Sequence, residues 1–215
     1  MRVNRYVALA TGLSRRAADT VIAEGRVYVN GVMPTPGQDV GQNDTVTFNG
    51  QTIQAPSETQ TILLNKPVGY VVSRDGQGSK TVYDLLPPEL HHVKPVGRLD
   101  KDSSGLLLMT TDGQLAQKLT HPSYQKEKIY EITLDKPLSP QDIAAVQNGV
   151  MLEDGISKLH ITHQANKSYT VRMHEGRNRQ IRRTFATIGY NVAKLHRTHF
   201  GDYTLAAQLG GYIVL

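Results

Sequence analysis

The 215-residue sequence predicts an α+β fold: a small helix–helix–strand unit over residues 1–56, then a larger unit over 57–215 built on a mixed sheet. Three observations carry this. Two short stretches near the start repeat their apolar residues at helical spacing. Asn-Gly pairs interrupt stretches that alternate as strands do. Beyond residue 60, strands and helices follow one another irregularly, which favours a mixed sheet over strict strand–helix–strand units.

Val3, Val7 and Ala10 set the first helical period. Ser14 is placed to cap a second helix with Ala17, Ala18, Val21 and Ile22 as its buried stripe, and Gly25 follows its end. RVYVNG and DTVTFNGQTI read as strands with Asn-Gly turns, and QAPSETQ (54–60) reads as a linker. TILLNKP and GYVVS read as strands joined by a Lys-Pro-Val-Gly turn, and TVYDLLPPEL as a short helix stopped by Pro87 and Pro88. GLLLMTT is a buried strand, GQLAQKLTHP a helix and EKIYEITL a strand. SPQDIAAVQNG has Ser139 at its N-cap, Pro140 at the first helical position and Gly149 past the end. KLHITHQ and SYTVRMHEG form a strand pair. NRQIRRTFATIG is a helix capped by Asn178, with Ile181, Phe185 and Ile188 inward and Gly189 closing it; YNVAKLHRTHFG and YIVL supply late strands.

With 39% hydrophobic residues a sizeable core is available. The absence of cysteine excludes disulfides and thiolate metal sites. Arginines interrupt the N-terminal stretch too early for a signal-peptide core. No segment approaches the roughly 20 apolar residues of a membrane span. A soluble, cytoplasmic protein is expected. The net charge of +5 is unevenly placed. Val171 to Phe200 holds seven Lys/Arg (172, 177, 179, 182, 183, 194, 197) against Glu175, a local +6. A block of one sign reads as a phosphate-facing surface.

PVGRLDKDSSGLLLMTTDG (95–113) places Arg98, Asp100, Lys101 and Asp102 directly before a buried strand. On residue types alone it is either a salt-bridged turn or a site in which one carboxylate does chemistry. Two carboxylates are weak evidence for a magnesium site. His91, His92, His196 and His199 lack carboxylates or cysteines at ligand spacing. GQGSKT has Ser79 where a phosphate loop needs glycine. No metal is expected.

LSRRAADTVIAEGRVYVNG resembles the S4 RNA-binding domain, which implies that Arg15 and Arg16 face RNA phosphates. The string at 95–113 resembles the catalytic motif of bacterial pseudouridine synthases, specifically the S4-bearing branch that modifies ribosomal RNA. LLNKPVGYVVS (63–73), KEKIYEI (126–132) and HEGRNRQIRRTFATIGYNVAKLHRTHFGDYTL (174–205) match that family in order. The resemblance implies an S4 domain over 1–56 and a mixed, mainly antiparallel catalytic domain over 57–215. It implies Asp100 as the carboxylate, Arg182 as its charge partner and Tyr130 against a flipped-out uridine. Arg98 is implied in flipping or backbone contact, with a structural salt bridge as the rival. Lys66 reads as a surface lysine beside the RNA path, and Arg177, Arg179, Arg183 and Arg197 as phosphate contacts. The isomerisation involves no redox change or net hydrolysis, so no cofactor is expected. The implied partner is ribosomal RNA, free or in assembly intermediates, met by a monomer. A non-catalytic S4-type assembly factor and a tRNA pseudouridine synthase stay open as alternatives.

Overall fold

The computed structural model describes all residues except 57, 58 and 207, so part of the expected 54–60 linker lies outside the described residues. The chain divides into two compact units, Met1–Gln60 with Pro88–Lys94, and Thr61–Pro87 with Pro95–Leu215.

In the first unit, α1 (Val3–Thr11) and α2 (Arg15–Ala23) precede β1 (Val27–Val29), β2 (Val46–Phe48) and β3 (Gln51–Ile53). The strands form an antiparallel sheet in the order β1-β2-β3. Ser14 Oγ accepts the Ala17 amide at 3.0 Å, satisfying one of the free donors that begin α2. The β2–β3 turn has Asn49 at φ 52° and Gly50 at φ 78°, the left-handed pair that Asn-Gly adopts readily. Val3, Val7, Ala18, Val27 and Val46 fill the core.

The second unit opens with β4 (Thr61–Lys66), followed by β5 (Lys94–Val96), β6 (Ser104–Thr110), α3 (Gly113–Thr120), β7 (Lys128–Leu134) and α4 (Pro140–Asn148). Then come β8 (Val150–Leu152), β9 (Gly155–Ser157), β10 (His160–Ala165), β11 (Ser168–Met173), α5 (Gln180–Thr187), β12 (Val192–Phe200), β13 (Tyr203–Thr204) and β14 (Tyr212–Val214). The main sheet runs β10-β11-β7-β12-β6-β4-β14, with β5 beside β6 and β13 beside β12. Along this path β12 and β6 run parallel and every other pairing is antiparallel. The sheet is therefore mixed and mainly antiparallel, as expected. Leu106 to Met109 of β6 are fully buried, which explains the unbroken apolar run of this central strand. Among the described residues no helix is long and apolar enough to cross a membrane.

Three local expectations are corrected. Gly69–Ser73 is not a strand: Gly69 sits at φ 94°, and Val71 makes only an isolated bridge to Thr81. Val82–Leu85 and Pro88–Leu90 are separate 3-10 turns. α5 begins after Arg179, which is left-handed at φ 46°, so Asn178 does not cap it. The β8–β9 hairpin fills the interval between α4 and β10, which the sequence reading left without an element.

Candidate active site

Asp100 lies on the turn between β5 and β6, closed by the Ser103 amide donating to the Asp100 carbonyl at 3.1 Å. Lys66, at the end of β4, fixes this turn from beneath. Its Nζ donates to the carbonyls of Ser103 (2.7 Å), Pro67 (3.0 Å) and Asp100 (3.1 Å), and it is 0% exposed. The expectation of a surface lysine is corrected. The antiparallel pairing of Lys66 with Gly105 carries its side chain under the turn, and three carbonyls replace water around the ammonium. Burial pushes its pKa down to about 8, against the raising influence of Asp100 and Asp102.

The arginines after β11 separate into two groups. Arg179 grips Asp102 with two hydrogen bonds, each 3.0 Å, and brings Nη1 to 3.5 Å from Asp100 Oδ2. Arg182 places Nε 3.3 Å from Asp102 Oδ2, and donates to the Val192 carbonyl (2.7 Å) and the Asp102 carbonyl (2.9 Å). The expected Asp100–Arg182 pair is therefore corrected: Arg179 is the arginine at Asp100, and Arg182 supports Asp102. Arg179 is itself the left-handed residue that precedes α5. Hydrogen bonding from Arg179, with the nearby Arg182 charge, holds the Asp102 carboxyl below its usual range.

Arg177 and Arg183 face the β8–β9 hairpin. Arg183 holds Asp154 at 3.0 and 2.7 Å. Arg177 donates to Asp154 Oδ1 and to the Asp154, Gly155 and Ile156 carbonyls, all between 2.9 and 3.0 Å. The expectation of free phosphate-facing groups is corrected for both, because the terminal guanidinium nitrogens of each already have partners inside the fold. Arg197 is likewise no surface group: it is 2% exposed. Its Nε donates to the Leu106 carbonyl at 2.8 Å, and its guanidinium lies 4.7 Å from the Phe200 ring centre. Arg98 is exposed, as are Arg15 and Arg16 in the first unit.

A cleft of about 950 Å³ gathers Arg98, Asp100, Lys128, Tyr130, Arg179 and Arg197 on its walls. Tyr130 and Arg197 face each other across β7 and β12. Lys128, two residues from Tyr130 and so on the same sheet face, donates to the His174 and Glu175 carbonyls at 3.2 and 3.3 Å. Sequence reasoning missed Lys128, although the two-residue period of EKIYEI pairs it with Tyr130. It identified Arg179 only as a phosphate contact.

Fold and cleft define the class first: a small helix-and-strand module ahead of a mixed-sheet domain whose cleft sets a carboxylate against arginines. Comparison with known proteins supplies the family. The RNA pseudouridylate synthase family model matches residues 60–187, and the S4 domain model residues 1–46. The chain belongs to the RNA pseudouridylate synthase family and carries an S4 domain. It is 40% identical over 208 residues to Ribosomal large subunit pseudouridine synthase B of Pseudomonas aeruginosa (strain PAO1), covering 91% of this chain and 54% of that relative. It thus spans about half the length of that protein. Dual-specificity RNA pseudouridine synthase RluF of Escherichia coli (strain K12) is 35% identical, covering 96% of this chain and 72% of the relative. Ribosomal large subunit pseudouridine synthase B of Bacillus subtilis (strain 168) is 37% identical, covering 95% and 87%. A solved structure described as a crystal structure of pseudouridylate synthase superposes with a TM-score of 0.72 at 32% identity, covering 100% of this chain and 96% of that one.

Proposed function

We propose that this chain isomerises a specific uridine of ribosomal RNA to pseudouridine, using Asp100 on a base flipped out of its stack. The observation that carries the reading is Asp100 on the wall of the cleft that Tyr130 also lines, with Arg179 Nη1 3.5 Å from its Oδ2. The reaction detaches uracil from C1′, turns it and rejoins it through C5. It calls for a carboxylate that stays charged in a confined site, as nucleophile or as base. Arg179 supplies the compensating charge and Asp102 holds Arg179 in place, while Arg182 braces Asp102. Tyr130 offers an aromatic surface for the extruded base. Arg98, exposed at the cleft, is suited to the strand that the base leaves.

Arg15 and Arg16 occupy the first turn of α2, where positive charge opposes the helix dipole. Helix stability does not account for them, and phosphate contact does. We assign ribosomal RNA as the partner, a monomer as the acting form and the cytoplasm as its place. The named activities of the relatives support the substrate class.

The test is a pseudouridine map of ribosomal RNA in cells lacking the protein, complemented with wild type or Asp100→Asn. One mark lost on deletion, restored by wild type and not by the variant, supports the reading. A mark restored by the variant removes Asp100 from the chemistry. No change in either ribosomal RNA points to another RNA or to binding alone.

A further inference from the structure

Arg197 is a charge the fold has no evident need for. It heads the largest fully buried side chains, with one hydrogen bond from Nε to Leu106 and Nη2 buried without a partner. Among the described residues no carboxylate lies within ion-pairing distance of it. The Phe200 ring it rests on is shared with a second cation, Lys128, whose Nζ is 5.4 Å from the ring centre. Burial and then the Arg197 charge lower the Lys128 pKa. A buried cation with no counter-charge is destabilising, and an apolar side chain of similar length would suit the core better. What remains is its place: on the cleft wall with Asp100, directly across from Tyr130.

We propose that Arg197 is a fixed positive charge set into the cleft wall, acting through its field on the negative charge that uracil carries between detachment and reattachment. The inference rests on the uridine-isomerising reading and deepens it. When the N1–C1′ bond breaks, its electron pair stays on uracil N1 and spreads onto the two carbonyl oxygens. Asp100 meets the loss at the sugar, either by bonding to C1′ or by taking the C2′ proton. The uracil pair then forms the C5–C1′ bond, and Asp100 leaves C1′ or returns its proton. The C5 proton is lost and N1 gains one, so product and substrate have the same atoms and charge. Throughout the interval the uracil is an anion in a confined cleft, where a preorganised cation acts most strongly. Arg179 and Arg182 are already neutralised by Asp100 and Asp102. Arg197 has no such partner.

The experiment compares wild type, Arg197→Met and Arg197→Lys for turnover of the ribosomal RNA substrate, RNA affinity and thermal unfolding. The Met variant is expected to lose about 100-fold in kcat with KM and RNA affinity unchanged, while melting at the wild-type temperature or above it. The Lys variant, which keeps the charge, recovers part of kcat. A Met variant as active as wild type overturns the inference, as does a loss that follows a fall in melting temperature and is not eased by Lys. If the Met variant does not fold, inhibition of wild type by barbiturate, an anionic pyrimidine at neutral pH, is compared with inhibition by uracil. Stronger inhibition by barbiturate supports the field, and equal inhibition overturns it. Wild type inactive on every ribosomal RNA overturns the activity reading and this inference with it. Active wild type with an equally active Met variant overturns this inference alone.

Discussion

At Lys66 an ammonium group sits out of solvent with three carbonyl oxygens around it, two of them on the Asp100 turn. Lys66→Met keeps the stem and leaves those carbonyls without their donor. Loosening of the turn is expected to lower kcat about 10- to 100-fold with little change in KM, since small misplacements of a reacting group are costly. Steady-state kinetics on the RNA substrate checks this. The pH dependence carries a sign. The folded pKa is about 8 and the ordinary lysine value 10.5, so between these pH values the unfolded chain binds the extra proton. Below pH 8 both states are charged and the burial penalty is fully present. As pH rises from about 8 to 10.5 the penalty is relieved, and wild type gains stability relative to Lys66→Met. Urea unfolding of both proteins across that window measures the difference. A gap that stays constant with pH would show that Lys66 titrates normally.

Elements meet at Gly105, where β6 lies parallel to β12. A Cβ there would stand 2.2 Å from the Arg197 carbonyl oxygen, and the residue has φ 104°. Gly105→Ala combines backbone overlap with a disfavoured conformation and is expected to cost about 3 kcal/mol, measured by denaturant unfolding. The β8–β9 hairpin behaves differently, because Asp154 ties it to Arg177 and Arg183 at a partly exposed site. Asp154→Ala is expected to change global stability little, because exposed ion pairs are screened by solvent. It also removes the carboxylate shared by Arg177 and Arg183, leaving their charge uncompensated there, which steepens the salt dependence of RNA binding. Titrations at several salt concentrations read this directly. These contacts also mark what the sequence could tell. Capped helices and Asn-Gly turns were legible because their determinants lie within a few residues: Ser14 and Ala17, Ser139 and Asp142, Asn49 and Gly50. The order of motifs made Asp100 and Tyr130 legible as candidates through family resemblance. The partners of the charged groups were not legible. Arg183 meets Asp154 from 29 positions away and Arg179 meets Asp102 from 77, and no local period encodes such pairings. Lysine and arginine are surface residues by default, so Lys66 and Arg197 gave no sign of burial.

On the proposed reading of the whole chain, affinity and chemistry draw on different charges. Most arginines of the +6 block from Val171 to Phe200 are engaged with Asp100, Asp102, Asp154 or the core, so less of that charge is available to phosphates than the count implies. Arg15 and Arg16 are exposed, and neither forms an ion pair among the described residues. On the proposed reading, docking through the S4 domain raises the local concentration of the target uridine without taking part in its isomerisation. Arg15→Ala/Arg16→Ala is therefore expected to raise KM and leave kcat at saturating RNA unchanged. Removal of two phosphate contacts should reduce the slope of log affinity against log salt by about 1.5. Both are measured on the intact chain, with turnover at two salt concentrations and binding across a salt series. Unchanged KM and slope would mean that these arginines do not meet RNA. A fall in kcat at saturation would mean that the S4 domain also helps to present the base, because a group used only for docking contributes equally to ground and transition states.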